Sequence, residues 1–169
     1  MNALDYVRRQ LATVRRQVDS AVQGTTNEQF NWQPPGASNS IAATLSHLLA
    51  TEDFYIRTVI QGRPRLWDEA DWAARTGLNT PPGRGQGWQE VRDQVVELEP
   101  WLVYQTAVRE ATDQYLATLT EDDLDREVNF IGGKRTVADV LCTLVVHTAA
   151  HAGDIATLKG MQGVKGLPF

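Results

Sequence analysis

Apolar residues recur at helical spacing in several stretches of the chain, and the first two stretches carry clear end signals. Residues 2 to about 23 repeat apolar positions with a period near 3.6 and stop at Gly24, which predicts a first helix. Residues 40 to 60 form the second stretch, for which Asn39 or Ser40 offers an N-cap. We therefore predict two long helices in this part of the chain.

Two further stretches have the same period. The third runs from Trp88 to Leu119, and Pro100 inside it predicts either a kink or a restart of the helix. The fourth covers about residues 136 to 160, where Thr136 and Asp139 resemble a capping box. Four main helices predict an all-α four-helix bundle, whose helix order in space the pattern does not fix.

The connections between these helices carry their own signals. Residues 62 to 87 are rich in Pro and Gly but include Trp67 and Trp72, which predicts an ordered connection with a short helix around 66 to 75. Loops at the end of a bundle often wall off a site. The segment "DREVNFIGGKRT" predicts a small hairpin or an extended loop. A small extra helix or hairpin is thus expected beside the bundle.

Length and charge narrow the class of protein. The 169 residues fit a single domain over 1–169, with a core large enough to be stable without cross-links such as disulfides. A net charge of −5 argues against a nucleic-acid binder, because phosphate contacts need a concentrated basic surface. The nearest candidates for such a surface are interpreted as the solvated flank of the first helix, and they are Arg8, Arg9, Arg15 and Arg16.

The single cysteine and the apolar content predict the compartment. Cys142 alone cannot form an internal disulfide, and we expect it to be a small buried filler. The start "MNALDYVRRQ" lacks the apolar region of a signal peptide, and no run of about 18 apolar residues indicates a membrane span. We expect a cytoplasmic protein that binds neither nucleic acid nor membrane.

Two histidines are the strongest chemical signal. His147 and His151 lie four positions apart in the fourth helix, on the stripe that carries its apolar residues. Buried imidazoles need hydrogen bonds or a metal to offset their desolvation, and the i, i+4 spacing lets two ring nitrogens converge on one cation. By the pattern alone, two interpretations remain equally good. The histidines either bind a metal together or are core residues satisfied by hydrogen bonds.

His47 is the remaining histidine, and it lies in the second helix beside small residues. The polar face of that helix is narrow. It carries the charged residues Asp53 and Arg57 together with Ser46. His47 therefore flanks buried surface and could face the last helix across the bundle. A site of three histidines would keep open positions for water or substrate, as catalytic metal sites do.

The order and spacing of three motifs resemble one family. A histidine in "SIAATLSHLL", the pair in "HTAAHAGDIATLKG" and the approach "NWQPPG" resemble the DinB/YfiT-like superfamily over nearly the whole chain. The resemblance implies a four-helix bundle with His47, His147 and His151 as ligands of one divalent metal, commonly zinc or nickel. Iron and manganese also accept imidazole. The resemblance further implies a homodimer built from apolar helix faces.

The family is functionally mixed, so the resemblance leaves the reaction open. Some of its members are mycothiol-dependent maleylpyruvate isomerases or transferases that use low-molecular-weight bacterial thiols. By this analogy we expect a small-thiol-dependent transferase or isomerase that acts on a small molecule. The alternatives are a metal-dependent hydrolase and a non-catalytic bundle in which the metal only joins two helices.

Two carboxylates lie on the helices that carry the histidines. Asp154 falls on the histidine face, where the family often has Gln; it is our candidate for a catalytic base or an orienting group, against the alternative of a surface Asp near the helix end. Glu52 lies inside the apolar arc of the second helix, well round from His47. We expect Glu52 to be no metal ligand and to be satisfied by a partner such as an arginine or a tyrosine hydroxyl.

Overall fold

Four long helices dominate residues 1–167, which are the residues that the computed structural model describes. In chain order they are α1 (Ala3–Val22), α3 (Ile41–Asp53), α7 (Leu98–Thr118) and α8 (Val137–Met161). The shorter helices are α2 (Asn27–Asn31), α4 (Leu66–Glu69), α5 (Trp72–Thr76) and α6 (Trp88–Asp93). The strands β1 (Glu127–Phe130) and β2 (Gly133–Thr136) form an antiparallel hairpin, with Val128 opposite Arg135.

Side-chain caps fix where the long helices begin. The Ser40 hydroxyl accepts a hydrogen bond from the backbone N–H of Ala43 at the start of α3. At the start of α8, Thr136 and Asp139 each accept from the other's backbone N–H, at 3.1 Å in both directions. The predicted capping box is therefore present. Such caps satisfy N–H groups that have no partner inside the helix.

Pro100 marks a restart rather than a kink. The stretch from Trp88 to Leu119 is divided into α6 and α7, and Pro100 lies in the first turn of α7. The N–H that proline lacks would have had no partner inside the helix at this position. The predicted short helix around 66 to 75 is also two helices, since Asp71 between them has φ of 52°.

The bundle is a ring of the four long helices. α8 packs along both α1 and α3, and α3 packs against α7. Ion pairs close the ring between α1 and α7, where Arg109 donates to Asp19 at 2.7 Å and Arg15 to Asp113 at 2.7 Å. The predicted all-α bundle is confirmed.

A polar layer divides the core into two apolar clusters. One cluster includes Val18, Leu49 and Val108, and the other includes Val14, Tyr55 and Leu116. Between them, one polar side chain from each long helix is buried: Arg15, Glu52, Thr112 and Thr148. Arg15 and Thr112 both donate to Glu52. An arginine, one of the two kinds of partner that the sequence left open, thus satisfies Glu52, and a threonine hydroxyl assists it.

Several polar residues that were expected at the surface are buried. Arg15 is 7% exposed, so its assignment to a solvated flank was wrong. Its partners come from α3 and α7 and cannot be seen in the periodicity of α1. Ser46, Asp53 and Arg57 are also buried. The Asp53 carboxylate accepts from the Tyr104 hydroxyl at 2.7 Å and from two backbone N–H groups of α4, which explains how it is accommodated.

Cys142 lies on the outer face of α8 and is exposed, so the prediction of a buried filler was wrong. The adjacent Leu141 faces the core in its place. Among residues 1–167, α8 is also the helix that is long and apolar enough to cross a membrane by length and composition. The core helix of a bundle meets the same criteria, and the apolar stripe of α8 packs against α1 and α3.

Candidate metal centre

The two helices that carry the three histidines pack side by side, and this brings all three rings together. His47 lies in the middle of α3, while His147 and His151 lie on successive turns of α8. The Nε2 atom of His147 is 3.1 Å from Nε2 of His47 and 3.1 Å from Nε2 of His151. One nitrogen from each ring lies within 4.8 Å of the others. The cluster could hold a metal ion.

Hydrogen bonds to the Nδ1 atoms of His47 and His151 fix the orientation of these two rings. His47 Nδ1 is 3.0 Å from the carbonyl oxygen of Pro82, and His151 Nδ1 is 2.8 Å from a carboxylate oxygen of Asp154. A carbonyl or carboxylate oxygen only accepts, so both Nδ1 atoms carry the hydrogen. In the neutral form of these rings, the Nε2 atoms of His47 and His151 then present lone pairs to the interior of the cluster.

This arrangement fits a cation. A neutral His147 could donate one Nε2–H to one of the two facing lone pairs, and the other lone pair would have no hydrogen to accept. Two imidazole nitrogens bound to one tetrahedral zinc at about 2.0–2.1 Å lie roughly 3.3 Å apart. The observed 3.1 Å separations are close to that spacing.

The surroundings of His47 and His147 favour their neutral form, which is the form that binds metal. Burial, together with the neighbouring His151 and His47, lowers the pKa of His147 to about 3. Burial also lowers the pKa of His47, and the charge of His151 adds to this effect. The Nδ1 atom of His147 is buried and has no hydrogen-bond partner among residues 1–167. Two rings are therefore unprotonated at neutral pH.

A pocket of about 440 Å³ opens beside the cluster, with His47 and His147 in its wall. Apolar and aromatic groups from α3 and the π-helical segment that follows it, Phe54–Ile60, line one side. The lining there includes Ala50, Phe54 and Tyr55. Burial raises the pKa of the Tyr55 hydroxyl, so it stays a hydrogen-bond donor at neutral pH. The pocket has the size and lining of a small-molecule site.

The opposite wall is the segment that leads into α6, from Asn79 to its first residue Trp88, which we call the 79–88 loop. The Glu90 carboxylate accepts from the backbone N–H groups of Asn79 and Thr80, at 2.7 and 3.1 Å. The Trp88 indole donates to the Gly83 carbonyl at 2.6 Å, and its ring lies 4.9 Å from that of His47. With the Pro82 contact to His47, these bonds attach the loop directly to the histidine cluster.

The residues proposed from the sequence are distributed as follows. His47, His147 and His151 come together, and Asp154 contacts the ring of His151 while its side chain stays 60% exposed. Glu52 lies in the buried polar layer, away from the cluster, as expected.

Other contributors to the site were missed by the sequence reasoning. They are Pro82, Tyr55 and Arg84. Pro82 and Arg84 lie in the irregular 79–88 loop, and Tyr55 lies in the π-helical segment. The Pro- and Gly-rich composition of residues 62 to 87, with its tryptophans, was the available signal for an ordered wall.

Comparisons with known proteins agree with this architecture. A conserved protein from Enterococcus faecalis superposes with a TM-score of 0.79 at 18% identity, covering 94% of this chain and 96% of the other. The protein described as "Sibling Lethal Factor Precursor - DfsB" superposes with a TM-score of 0.66 at 15% identity, covering 97% and 99%. At these identities the likeness shows the fold alone.

Sequence comparison gives the family. No curated protein matches the sequence significantly. The family profile described as the DinB superfamily matches residues 10–155, which is most of the chain and includes all three histidines. The chain therefore belongs to the DinB superfamily.

Proposed function

We propose that this protein is a divalent-metal-dependent enzyme in which His47, His147 and His151 bind one metal ion per chain. The observation that carries the proposal is that the Nε2 atom of His147 lies 3.1 Å from those of both His47 and His151, with the ligand nitrogens of all three rings within 4.8 Å of one another. Zinc or nickel is the preferred ion, and iron or manganese is compatible with the same ligands. Three protein ligands leave a position for a reacting group.

The proposed reaction is transfer of a small thiol to a small molecule, or isomerisation that depends on such a thiol. A bound divalent cation lowers the pKa of a thiol or a water molecule that ligates it. The family resemblance favours the thiol, and the pocket of about 440 Å³ beside His47 and His147 supplies room for a second, partly apolar molecule.

The residues of the chain have distinct proposed roles in this reaction. Pro82 and Asp154 hold the rings of His47 and His151 with their Nε2 atoms directed inward. Tyr55 presents a protonated hydroxyl to the pocket and can donate to a bound molecule. Asp154, which touches a metal-ligating ring rather than the pocket wall, acts as a positioning residue.

Metal content tests the site directly. Elemental analysis of untagged protein should give about one divalent ion per chain, and His147→Gln should lose it. Cys142→Ser is the matched control, because it removes another potential metal ligand from the exposed face of the same helix. Full metal content in single Gln variants of each of the three histidines would overturn the assignment.

The reaction is tested separately from the metal. We expect metal-loaded protein to turn over electrophiles in the presence of mycothiol, bacillithiol or glutathione, and to lose this activity after chelation. Turnover of esters or amides without a thiol would favour the hydrolase alternative. A metal that only joins α3 to α8 would instead be needed for folding, so chelation would abolish the melting transition without any activity being found.

We further propose that the protein is cytoplasmic and forms a homodimer. The outer face of α8 supports the dimer, because Val146 is 68% exposed there between the exposed Cys142 and Ala150. A two-fold pair of such faces would cover apolar surface on both chains.

A further inference from the structure

The pocket beside the histidine cluster has a charge opposite to that of the whole molecule. The chain has 21 acidic and 16 basic residues, yet among the described residues that line the pocket none is Asp or Glu. Two are arginines, Arg65 and Arg84. A pocket whose fixed charges are all positive favours an anionic occupant, because apolar walls strengthen electrostatic attraction.

The two arginines differ in their availability. Arg65 donates from Nε and Nη2 to the two carboxylate oxygens of Asp68, at 2.9 and 2.8 Å. This fork-like contact neutralises its charge. Within residues 1–167 the guanidinium of Arg84 makes no hydrogen bond and no ion pair. The guanidinium of Arg84 is therefore the charged group of the pocket that is available to bind a ligand.

The backbone that carries Arg84 is held in place. Immediately before it, the Pro82 carbonyl contacts His47 and the Gly83 carbonyl accepts from the Trp88 indole. The Gly83 N–H donates to the Gln86 carbonyl at 3.0 Å, which closes a turn with Arg84 inside it. Arg84 thus lines, from a held turn, the same pocket that His47 and His147 line; its side chain is exposed, and its charge lowers the pKa of the Tyr55 hydroxyl there, against the larger effect of burial.

We propose that Arg84 binds the carboxylate of the substrate or of the thiol, so that the protein acts on small carboxylate-bearing molecules. The inference rests on the proposed function for the reaction, but the binding step can be measured without it. A guanidinium and a carboxylate form two parallel charge-assisted hydrogen bonds, which an amide cannot reproduce. The Tyr55 hydroxyl and the aromatic wall would receive the rest of the molecule.

Binding of two matched pairs of probes by calorimetry tests the proposal. The pairs are 3-phenylpropionate with its amide, for the substrate, and N-acetylcysteine with its amide, for the thiol. At least one carboxylate should bind about tenfold more tightly than its amide, both in chelator-treated and in zinc-loaded protein. The pair that shows the preference identifies which molecule carries the carboxylate.

Variants of Arg84 decide whether this side chain is responsible. Arg84→Gln should abolish the preference, and Arg84→Lys should keep part of it. Arg63→Gln, an exposed arginine outside the pocket lining, should leave the preference unchanged. Circular dichroism of each variant should match the unmodified protein.

Three results would overturn the assignment. They are a preference that survives in Arg84→Gln, a preference that occurs only with zinc bound, and no binding of either carboxylate at millimolar concentration. The second would place the carboxylate on the metal. A preference that depends on Arg84, with no thiol-dependent turnover of any electrophile, would retain this inference and reject the proposed reaction.

Discussion

The contact between Asp154 and His151 couples an exposed carboxylate to a half-buried cluster of histidines. Asp154 lies three residues after His151 on α8, and its oxygen is 2.8 Å from His151 Nδ1. A carboxylate in this position fixes the tautomer of the ring and increases the basicity of the opposite nitrogen. At the scale of one residue, its effect should be on metal affinity and on the rate, with little effect on the fold.

Asp154→Ala should weaken metal binding by about 10- to 100-fold, because the His151 ring loses the group that orients it. At saturating metal the variant should still bind one ion per chain and turn over more slowly. Asp154→Asn, whose carbonyl oxygen can accept the same hydrogen bond, should lie between the two. Competition with a metal-sensitive dye measures the affinity, and Asp125→Ala provides an exposed carboxylate control. Equal affinity in Ala and unmodified protein would contradict this role.

At the scale of elements, the buried polar layer joins three of the four long helices. Glu52 of α3 accepts from Arg15 of α1 and from Thr112 of α7, and the last bond is 2.9 Å long. Removal of one partner from a buried ion pair leaves the other charge without compensation. The layer should therefore be sensitive to single substitutions although it lies away from the histidines.

Glu52→Ala should lower the free energy of unfolding by about 3–5 kcal/mol, because Arg15 stays buried next to a cavity. Urea denaturation measures the change. Lys134→Ala is the control, since its pair with Glu127 is exposed on the hairpin and should contribute less than about 1 kcal/mol. The double change Arg15→Met with Glu52→Leu should recover much of the loss. A small effect of Glu52→Ala would show that the Asp113 contact alone satisfies Arg15.

Gly87 determines the shape of the 79–88 loop. Its φ is +74°, and a Cβ atom there would lie 2.5 Å from the Thr80 carbonyl oxygen and 2.7 Å from that of Pro81. Gly87→Ala should therefore displace the loop and reduce ligand binding in the pocket. Gly85→Ala is the matched control, because Gly85 has φ of +76° and open space around it. It should show only the strain of a left-handed alanine, about 1–2 kcal/mol. Identical binding by both variants would exclude the steric effect.

The sequence predicts well those features that depend on neighbours along the chain. The capping box at Thr136 and the facing of His147 with His151 follow from local spacing, whereas Pro100 alone left a kink and a restart of the helix open. The burial of Arg15 depends on which helices lie opposite α1, and a periodicity within one helix carries no such information. Likewise, the contact of Pro82 with His47 joins residues 35 positions apart through an irregular loop.

At the scale of the whole molecule, the lowered pKa values make stability depend on pH. The pKa of His147 is about 3 in the folded chain, whereas an imidazole in the unfolded chain titrates near 6.5. Between these values the unfolded state binds the additional proton, which favours unfolding. The metal-free protein should therefore lose stability as the pH falls from about 6.5 toward about 3.

Chemical denaturation at several pH values measures this dependence. Burial raises the pKa of Asp53, which gives a contribution of opposite sign, so the comparison must be with a variant that changes only the imidazole. His147→Gln should show a smaller decrease of stability between pH 6.5 and pH 4, because the variant has no ring to protonate in the unfolded state. Parallel curves for the two proteins would contradict the lowered pKa of His147.

The proposed homodimer can be tested on the outer face of α8. Sedimentation equilibrium at micromolar concentration should give a dimer, and Val146→Glu should convert it to a monomer by burying a charge at the contact. Val95→Glu is the control, because Val95 is 81% exposed in the segment between α6 and α7 rather than on α8. A monomeric unmodified protein would remove the dimer from the proposal.

The hydrogen bond between the Pro82 carbonyl and His47 would link metal binding at the proposed site thermodynamically to occupancy of the pocket. A molecule that fixes the 79–88 loop also fixes a ring of the cluster, so its affinity should change when the ion is bound. Linkage is reciprocal, and the factor by which the ion changes the affinity for the molecule equals the factor by which the molecule changes the affinity for the ion. A ligand of the pocket would thereby change the free metal concentration at which the proposed site fills or empties.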